Sequence, residues 1–306
     1  MLEKRFRELK PNVSERTIKT YATNIRRLRK VDKHLDYRPI SAYLKSLKPS
    51  IASNLLTALI VFEGKERFGD LYRTLNQLTE ERRYQQRFTS AELDSWVTVQ
   101  KIREGIRRAK FEVDRLQLLT VKKHKSHHLQ ILVGYLLLRF YNEMHWRADI
   151  VSVRLGKHTG QNYFYAGKFY LNKFKTSRKF KERGLLPLIY TPSPSLAKLI
   201  RQYLAVREAQ DMSHDYFLFN KSKRPVQRSA FYDLMTRVTF KYIGKKLSVS
   251  MLRHIYATEF LAGDPSLAAK QKMLRGYMQL SLDTFESYAR RGDDGKLATG
   301  PTPHFP

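Results

Sequence analysis

The chain has no cysteine among its 306 residues. Disulfide bridges, iron–sulfur clusters and cysteine-ligated zinc fingers are therefore excluded, and the composition is compatible with a reducing compartment. Long apolar runs are also lacking, because the most apolar stretch, residues 129–141, is too short to cross a bilayer and contains Arg139. The N-terminal residues are charged and carry no apolar core, unlike a secretory signal. We therefore expect an intracellular protein that binds no membrane.

Acidic residues are few relative to basic ones. The chain has 58 Lys and Arg against 28 Asp and Glu, which leaves a formal charge of +30. This excess is larger than solubility requires and favours a polyanionic partner. The basic residues are spread among 18 Tyr and 17 Phe instead of forming one tail, so the folded surface itself is expected to attract phosphates. Nucleic acid fits this pattern better than a membrane does.

The first part of the chain has helical periodicity. Ser14 can cap a helix that runs to about Arg29, and similar patterns follow at residues 40–47, 50–62 and 70–85. Thr89 and Glu92 then form the Thr-x-x-Glu pattern of a capping box, which starts a new helix. We therefore predict a helical domain over residues 1–87 and a second domain from residue 88.

The second domain, residues 88–290, is predicted to be mainly helical with a small β-hairpin or sheet. Residues 163–175 and 185–190 alternate as strands do, with a turn at residues 166–168. Helical patterns occupy the rest, at residues 89–119, 126–142, 196–209, 229–242, 249–261, 266–274 and 284–290. The segment 291–306 is rich in Gly and Pro and is expected to be a flexible tail.

Several basic positions are candidates for contact with nucleic acid. They lie on the first predicted helix, before the apolar helix and around the hairpin: Lys19, Arg26, Arg27, Lys122, Lys123, Lys173, Arg178 and Lys179. A solvated basic surface is the alternative for each of them. His124, His127 and His128 have a spacing that could bind a metal, but neighbouring lysines and the absence of adjacent acidic or thiol ligands favour a basic stretch facing DNA.

The most informative string is Ser250-Met-Leu-Arg253-His254-Ile-Tyr-Ala-Thr, in which Leu252 and Ile255 are expected to face the core while Arg253 and His254 occupy the polar side. Tyr288 follows, in the string Thr-Phe-Glu-Ser-Tyr288-Ala-Arg. Arg147 and the hairpin lysine Lys175 precede it. This ordered set resembles the motifs of the tyrosine recombinase (integrase) family, whose second motif reads loosely Leu-Arg-His-x-x-Ala-Thr. The resemblance covers roughly residues 89–290, and the domain before it looks like the family's core-binding domain.

These residue types suit the cleavage of a phosphodiester. The reaction passes through a pentacoordinate species with extra negative charge, and Arg147 and Arg253 would offer it planar, permanently charged donors. A phenol is a weak nucleophile that needs cationic surroundings, which Arg290 and Arg291 beside Tyr288 would supply. The departing sugar oxygen needs a proton, for which we favour Lys175 over Lys173 and Lys179.

The chain departs from the family pattern in two places. Ser250 stands three residues before the second arginine, where many members have a histidine. The glycine and histidine that usually precede the tyrosine are replaced in the string from Arg275 to Leu280, so that Gln279 or Tyr277 would take the place of that histidine. Near Arg147 the acidic residue falls at the second following position, Asp149, where the resemblance implies that it orients this arginine. These changes imply slower chemistry or a protein that binds DNA without cutting it.

The resemblance implies a site-specific recombinase or integrase that joins DNA through a 3′-phosphotyrosine, acts as a homotetramer on double-stranded DNA and needs neither ATP, metal nor another cofactor. The chain indeed contains no Gly-x-x-x-x-Gly-Lys loop. A virus or other mobile element is the expected setting, with the protein in the cytoplasm of a prokaryotic host or in a host nucleus. Alternatives are a type IB topoisomerase, a telomere resolvase, or a DNA-binding protein that has lost catalysis.

Overall fold

The computed structural model describes residues 1–278, 285–292 and 294–298. The chain divides into two compact units, Met1–Gln85 and Gln86–Pro306. In the described residues, no helix is long and apolar enough to cross a membrane. Gln279, a candidate for the third motif, lies outside the described residues, and so does the end of the segment expected to be a tail.

The first unit is helical. Its helices are α1 (Leu2–Leu9), α2 (Glu15–Arg29), α3 (Tyr37–Lys45), α4 (Pro49–Glu63) and α5 (Gly69–Gln85). The predicted cap of α2 is present, because the Ser14 side chain accepts a hydrogen bond from the Thr17 amide at 3.2 Å. Helix α1 was not predicted; it contributes the fully buried Phe6 to the core of this unit. Its apolar residues, Leu2, Phe6 and Leu9, do recur at helical spacing, but over a segment of only eight residues.

The second unit contains most of the helices. They are α6 (Ser90–Ser95), α7 (Val99–Arg115), α8 (Ser126–Glu143), α9 (Ser177–Lys181), α10 (Pro194–Glu208), α11 (Arg228–Ile243), α12 (Val249–Ala262), α13 (Leu267–Lys272), a 3₁₀ helix (Ala148–Ser152) and a π-helix (Met273–Met278). The capping box of Thr89 and Glu92 is present at the start of α6. The single helix predicted over residues 89–119 is interrupted, because Thr98 caps a new helix by accepting from the Lys101 amide at 3.2 Å.

A small sheet lies beside these helices. Its strands, in spatial order, are β1 (Arg154–Leu155), β2 (Tyr163–Tyr165), β3 (Lys168–Leu171) and β4 (Leu188–Tyr190). Strand β1 is parallel to β2, and the other two pairings are antiparallel. The β2–β3 turn has two central residues, Ala166 and Gly167, with φ of 48° and 75°. Positive φ at both positions matches the right-handed twist of a tight hairpin.

The hairpin is shorter than the sequence predicted. Strand β3 ends at Leu171, and the amides of Asn172 and Lys173 donate to Asn162 Oδ1 at 2.8 and 2.7 Å. These two amides therefore bond to a side chain instead of a partner strand. Lys175 lies in the following turn, so the prediction that the strand pattern extends to residue 175 is wrong.

An aromatic core joins the sheet to the helices. Trp146 is fully buried, with its ring 5.0 Å from that of Phe140 on α8 and 5.4 Å from that of Phe169 on β3. Edge-to-face contacts of this kind add to the free energy gained by burying the rings. The packing fixes the backbone at the residue that follows, Arg147. The prediction of a mainly α fold with a small β-sheet is confirmed.

The described part of the segment after Tyr288 is hydrogen-bonded to the rest of the second unit. The Arg291 amide donates to the Gln86 carbonyl at 3.0 Å, and Arg291 Nε donates to Gln86 Oε1 at 2.9 Å. The amide of Ala298 donates to the carbonyl of Arg290 at 3.0 Å. Up to residue 298 this segment therefore makes regular contacts, although its composition favoured a flexible tail.

Candidate active site

Arg147 follows helix α8 and precedes the 3₁₀ helix. The buried Tyr141 donates a hydrogen bond from its hydroxyl to the Arg147 carbonyl at 2.6 Å, which fixes the backbone there. The Arg147 side chain is partly buried, and its Nη2 donates to Tyr288 Oη at 3.2 Å. Its Nη1 is buried and has no hydrogen-bond partner in the described part of the chain. One donor of Arg147 therefore contacts the phenol, and another is left unused.

Arg253 lies inside the second unit. The sequence placed it on the polar side of α12, but the residue is only 1% exposed, so that expectation is wrong. Its guanidinium donates to the carbonyl of His145 and, at 2.9 Å, to the carbonyl of Met278. The guanidinium carbon lies 5.0 Å from the centroid of the Tyr288 ring. Two backbone carbonyls thus hold a buried cation against the aromatic ring.

The Tyr288 phenol has an altered acidity. Burial alone raises the pKa of the phenol, but the charges of Arg253 and Arg147 outweigh it and hold the pKa below the ordinary value of tyrosine. The phenol is therefore more readily ionised than an exposed tyrosine, which is what a nucleophile requires.

The two arginines together leave buried donors without partners. Within the described residues, Arg147 Nη1 and Arg253 Nε have no hydrogen-bond partner. Buried polar groups are usually satisfied, so unpaired cationic donors indicate a site for a missing acceptor. A tetrahedral oxyanion such as a phosphodiester carries acceptors of the required charge. The arrangement can thus bind a phosphate beside a phenol oxygen.

The His254 side chain contacts both the backbone and the ring of Tyr288. Its Nδ1 lies 2.7 Å from the Tyr288 carbonyl oxygen, and the two rings stack with centroids 4.7 Å apart. Burial and the nearby Arg290 charge lower the pKa of His254 to about 4. The neutral ring therefore donates from Nδ1 to this carbonyl, while Nε2 accepts from Arg290 Nη2 at 3.2 Å. Both nitrogens are engaged away from the phenol oxygen.

Asp149 pairs with a residue that the sequence did not single out. It is 3% exposed, and Arg228 Nη2 donates to its Oδ1 at 3.1 Å. Burial raises the pKa of this carboxyl against the opposing charges of Arg228 and Arg147. Asp149 therefore forms an ion pair with Arg228 and makes no hydrogen bond to Arg147, which differs from the expected role of orienting that arginine.

The remaining motif positions lie at the surface or outside the described residues. Ser250 is exposed in the first turn of α12, one turn before His254. Lys175 is exposed and, in the described part of the chain, makes no hydrogen bond or ion pair to Arg147, Arg253 or Tyr288. The structure thus brings together Arg147, Arg253, His254 and Tyr288, and it does not add Ser250 or Lys175 to them.

The basic positions proposed to face DNA are all exposed. They are Lys19, Arg26, Arg27, Lys122, Lys123, Lys173, Arg178 and Lys179. Three of them have acidic partners at the surface: Arg26 pairs with Glu3, Lys123 with Asp211 and Arg178 with Glu182. Exposed pairs of this kind are weak and can be exchanged for phosphate contacts. Among the described residues, no group of three His, Cys, Asp or Glu could hold a metal ion, and this includes His124, His127 and His128.

Sequence reasoning assigned the cations beside Tyr288 to the wrong arginines. Arg290 donates to Glu92 Oε1 from Nε at 3.1 Å and from Nη2 at 2.7 Å, and Arg291 binds Gln86. The cations at the phenol are instead Arg147 and Arg253. Glu92 was recognised only as a helix cap, and no sequence signal indicated its ion pair with a residue 198 positions away.

The fold is similar to that of solved structures whose sequences differ widely from this chain. The XerH site-specific recombinase, bound to its palindromic difH substrate in a post-cleavage complex, matches with a TM-score of 0.56 and 15% identity over 90% of this chain and 77% of that chain. The XerA recombinase matches with a TM-score of 0.46 and 14% identity over 96% of this chain and 94% of that chain. No protein-family model and no curated protein sequence matches the chain. The likeness to XerH is one of fold alone, and it agrees with the expected fold class, mainly α with a small β-sheet.

Proposed function

We propose that this chain is a site-specific DNA recombinase or integrase that cleaves and rejoins DNA through a 3′-phosphotyrosine at Tyr288. The observation that carries the proposal is the position of the Tyr288 hydroxyl, which accepts from Arg147 at 3.2 Å while the guanidinium carbon of Arg253 lies 5.0 Å from its ring. The fold shared with XerH and the net charge of +30 also support it.

In the proposed reaction, Tyr288 Oη attacks the phosphorus of a DNA backbone phosphate. A bond forms between Oη and phosphorus, the bond from phosphorus to the 5′ oxygen breaks, and the phenol proton is lost to solvent. Arg147 Nη1 and Arg253 Nε, both without partners in the described residues, donate to the non-bridging oxygens as their negative charge grows. Donors already fixed in a buried site need little reorganisation, so they stabilise the transition state more than water would.

The departing 5′ oxygen needs a proton. In this proposal Lys175 supplies it from the exposed turn before α9 once DNA is bound. A lysine on a surface turn can approach a bound duplex, and its ammonium group can act there as a general acid. The reverse reaction, with a 5′ hydroxyl of the same or another strand, restores the phosphodiester without ATP or metal.

The partner is double-stranded DNA. The exposed basic residues on α2, before α8 and around the hairpin are proposed to bind its backbone, because they are available for phosphate contacts. As in the family that the sequence resembles, strand exchange would require four copies on two DNA sites. A virus or other mobile element is the proposed setting.

The first experiment identifies the DNA target. The Tyr288→Phe protein should bind DNA without cutting it, so DNA captured by it from fragmented genomic DNA of the source organism can be sequenced. Recovery of one shared sequence motif supports site specificity, and its position at the ends of a mobile element supports the proposed setting. Uniform recovery across the genome argues against a site-specific enzyme.

The second experiment tests cleavage. Wild-type protein is incubated without divalent metal on duplexes of the captured sequence that carry a nick near the cleavage site, so that a short 5′-hydroxyl fragment can diffuse away. We expect a protein–DNA adduct that survives denaturation and is absent for Tyr288→Phe. Tyr165→Phe, the same change at an exposed tyrosine of β2, is the matched control and should retain the adduct.

The other outcomes discriminate between the alternatives. An equal adduct with Tyr288→Phe would assign the nucleophile to another residue. DNA binding without any adduct from the wild-type protein would favour a DNA-binding protein that has lost catalysis. Relaxation of supercoiled DNA by monomers, with no exchange between two sites, would favour a topoisomerase.

A further inference from the structure

Glu92 takes part in two different interactions. Its Oε2 closes the capping box of α6, accepting from the Thr89 amide at 2.9 Å and from the Thr89 hydroxyl at 3.1 Å. Its Oε1 accepts from Arg290 Nε at 3.1 Å and Nη2 at 2.7 Å. The capping box uses only the Oε2 atom of Glu92. The second oxygen therefore has a function that helix capping does not explain.

Arg290 connects Glu92 to His254, which in turn contacts Tyr288. Its Nη2 also donates to His254 Nε2 at 3.2 Å, and the opposite ring nitrogen of His254 lies 2.7 Å from the Tyr288 carbonyl. The three side chains are largely buried: His254 is 17% exposed, Glu92 16% and Arg290 12%. Each donor in this series has an acceptor, so the network fixes both the tautomer and the orientation of the histidine ring.

The orientation of His254 matters because its ring stacks on that of Tyr288 at 4.7 Å. A carbonyl hydrogen bond and a stacked ring together restrict the rotation of the tyrosine side chain. The phenol oxygen must stay within reach of Arg147 Nη2, which is now 3.2 Å away. Displacement of a reacting group by about 1 Å can cost on the order of 100-fold in rate.

We propose that Glu92 and Arg290 are positioning residues for the nucleophile: their buried ion pair holds His254 in the neutral Nδ1–H form against Tyr288, and so keeps the phenol oxygen at the two arginines. This inference rests on the proposed function of Tyr288. It adds two residues that touch neither the phosphate nor the phenol. The groups that face Tyr288 are Arg147, Arg253 and His254, and those that face Glu92 are Thr89, Arg290 and His254.

The test separates positioning from capping. Glu92→Gln keeps a side chain that can close a capping box but replaces one carboxylate oxygen with an NH₂ group, which cannot accept from Arg290. Thr89→Ala is the matched control, because it weakens the same cap and leaves the Glu92–Arg290 pair in place. We expect Glu92→Gln to slow adduct formation on the order of 100-fold with unchanged DNA affinity. Thr89→Ala should stay within about threefold of wild type despite a lower melting temperature.

A measurement without DNA keeps this inference separate from the proposed function. The phenol carbon of Tyr288 can be followed by NMR in protein labelled with ¹³Cζ-tyrosine and assigned with Tyr288→Phe. We expect the titration midpoint of Tyr288 in Glu92→Gln to rise by on the order of one pH unit, because the phenol moves away from the two guanidiniums. Thr89→Ala should leave the midpoint unchanged.

The outcomes are distinguishable. If the wild-type protein forms no adduct but the Glu92→Gln midpoint rises, the positioning network stands and the proposed function fails. If Glu92→Gln retains both the wild-type rate and the wild-type midpoint, the positioning role is wrong. If Thr89→Ala shifts either quantity as much as Glu92→Gln does, Glu92 acts only as a helix cap. Arg290→Lys keeps the charge but cannot bond Glu92 and His254 in the same geometry, so it should behave as Glu92→Gln does.

Discussion

Arg147 Nη2 donates to Tyr288 Oη across 3.2 Å, although the two residues are 141 positions apart in the chain. The guanidinium carbon of Arg253 lies 5.0 Å from the centroid of the ring of the same tyrosine. The two arginines differ in their other contacts. Arg253 is 1% exposed and donates hydrogen bonds to two backbone carbonyls. Arg147 is partly buried, and one of its guanidinium nitrogens has no hydrogen-bond partner in the described residues. Their substitutions should therefore differ in effect.

We expect Arg147→Ala and Arg253→Ala both to reduce adduct formation by more than about 100-fold, because each removes a donor to the growing negative charge. The two substitutions should differ in how much they lower the free energy of unfolding. Arg253→Ala removes the hydrogen bonds to two backbone carbonyls and should lower the free energy of unfolding by roughly 2–4 kcal/mol. Arg147→Ala should lower it by less than about 1 kcal/mol. Urea titration of the two variants measures the difference, and equal destabilisation would contradict this account of Arg253.

Two buried histidines should make the second unit sensitive to acid. Burial and the charge of Arg253 lower the pKa of His145 to about 3, and burial with the charge of Arg290 lowers that of His254 to about 4. In the unfolded chain both titrate near their ordinary value of 6.5. Between pH 6.5 and 4 the unfolded state therefore binds more protons than the folded state. The free energy of unfolding should fall as the pH drops through this window. Above the window, these two histidines should not change it.

The size of this effect is up to about 1.4 kcal/mol per pH unit for each histidine. Urea unfolding at several pH values between 7 and 5 measures the slope of the free energy of unfolding against pH. Most carboxyl groups stay ionised in this range. His254→Asn retains an amide donor for the Tyr288 carbonyl but has no titrating group, so the slope of the free energy of unfolding against pH should be smaller for this variant than for wild type. An unchanged slope in both His254→Asn and His145→Asn would contradict the assignment.

The leaving-group proton can be traced by changing the leaving group. We expect Lys175→Ala to slow cleavage of an ordinary phosphodiester by at least about 100-fold. Replacement of the 5′-bridging oxygen by sulfur should restore the rate, because a thiolate leaves without needing a proton. Lys173→Ala and Lys179→Ala are the matched controls. Rescue by sulfur in either control, and not in Lys175→Ala, would reassign the proton donor.

Close packing of α7 against α11 gives a prediction about stability alone. A methyl group added at Gly105 would lie 2.5 Å from Ile243 Cγ1 and 3.0 Å from the carbonyl oxygen of Tyr242. Gly105→Ala should therefore lower the free energy of unfolding by roughly 1–3 kcal/mol. Gly69→Ala is the control, since nothing lies within 4 Å of its added carbon. A Gly105→Ala protein as stable as wild type in urea would show that the two helices can separate at no cost.

Features set by neighbouring residues were readable from the sequence. The Ser14 cap of α2, the capping box of Thr89 and Glu92, and the turn at Ala166 and Gly167 each involve residues no more than three positions apart. Helical periodicity located most of the helices within a few residues. It missed α1, whose helical period extends over only eight residues, and the strand β1, whose two residues can show no period.

Features set by distant residues were not readable in this way. Strand β3 ends early because the Asn162 side chain takes the next two amides. The sequence placed Arg290 and Arg291 at the phenol because they adjoin Tyr288, but they bind Glu92 and Gln86. Asp149 pairs with Arg228. Short separation along the chain was a poor guide to which charged groups meet in space.

The sequence by itself determined the helical framework, the local caps and turns, the basic surface and the chemical types gathered in the motifs, because these depend on composition and on interactions within one or two turns of chain. Tertiary packing decided which of those residues share a site. Arg253 is a buried cation because the carbonyls of His145 and Met278 accept hydrogen bonds from its guanidinium. A guanidinium enters an interior only where such acceptors converge, and their convergence depends on contacts between segments far apart in the chain.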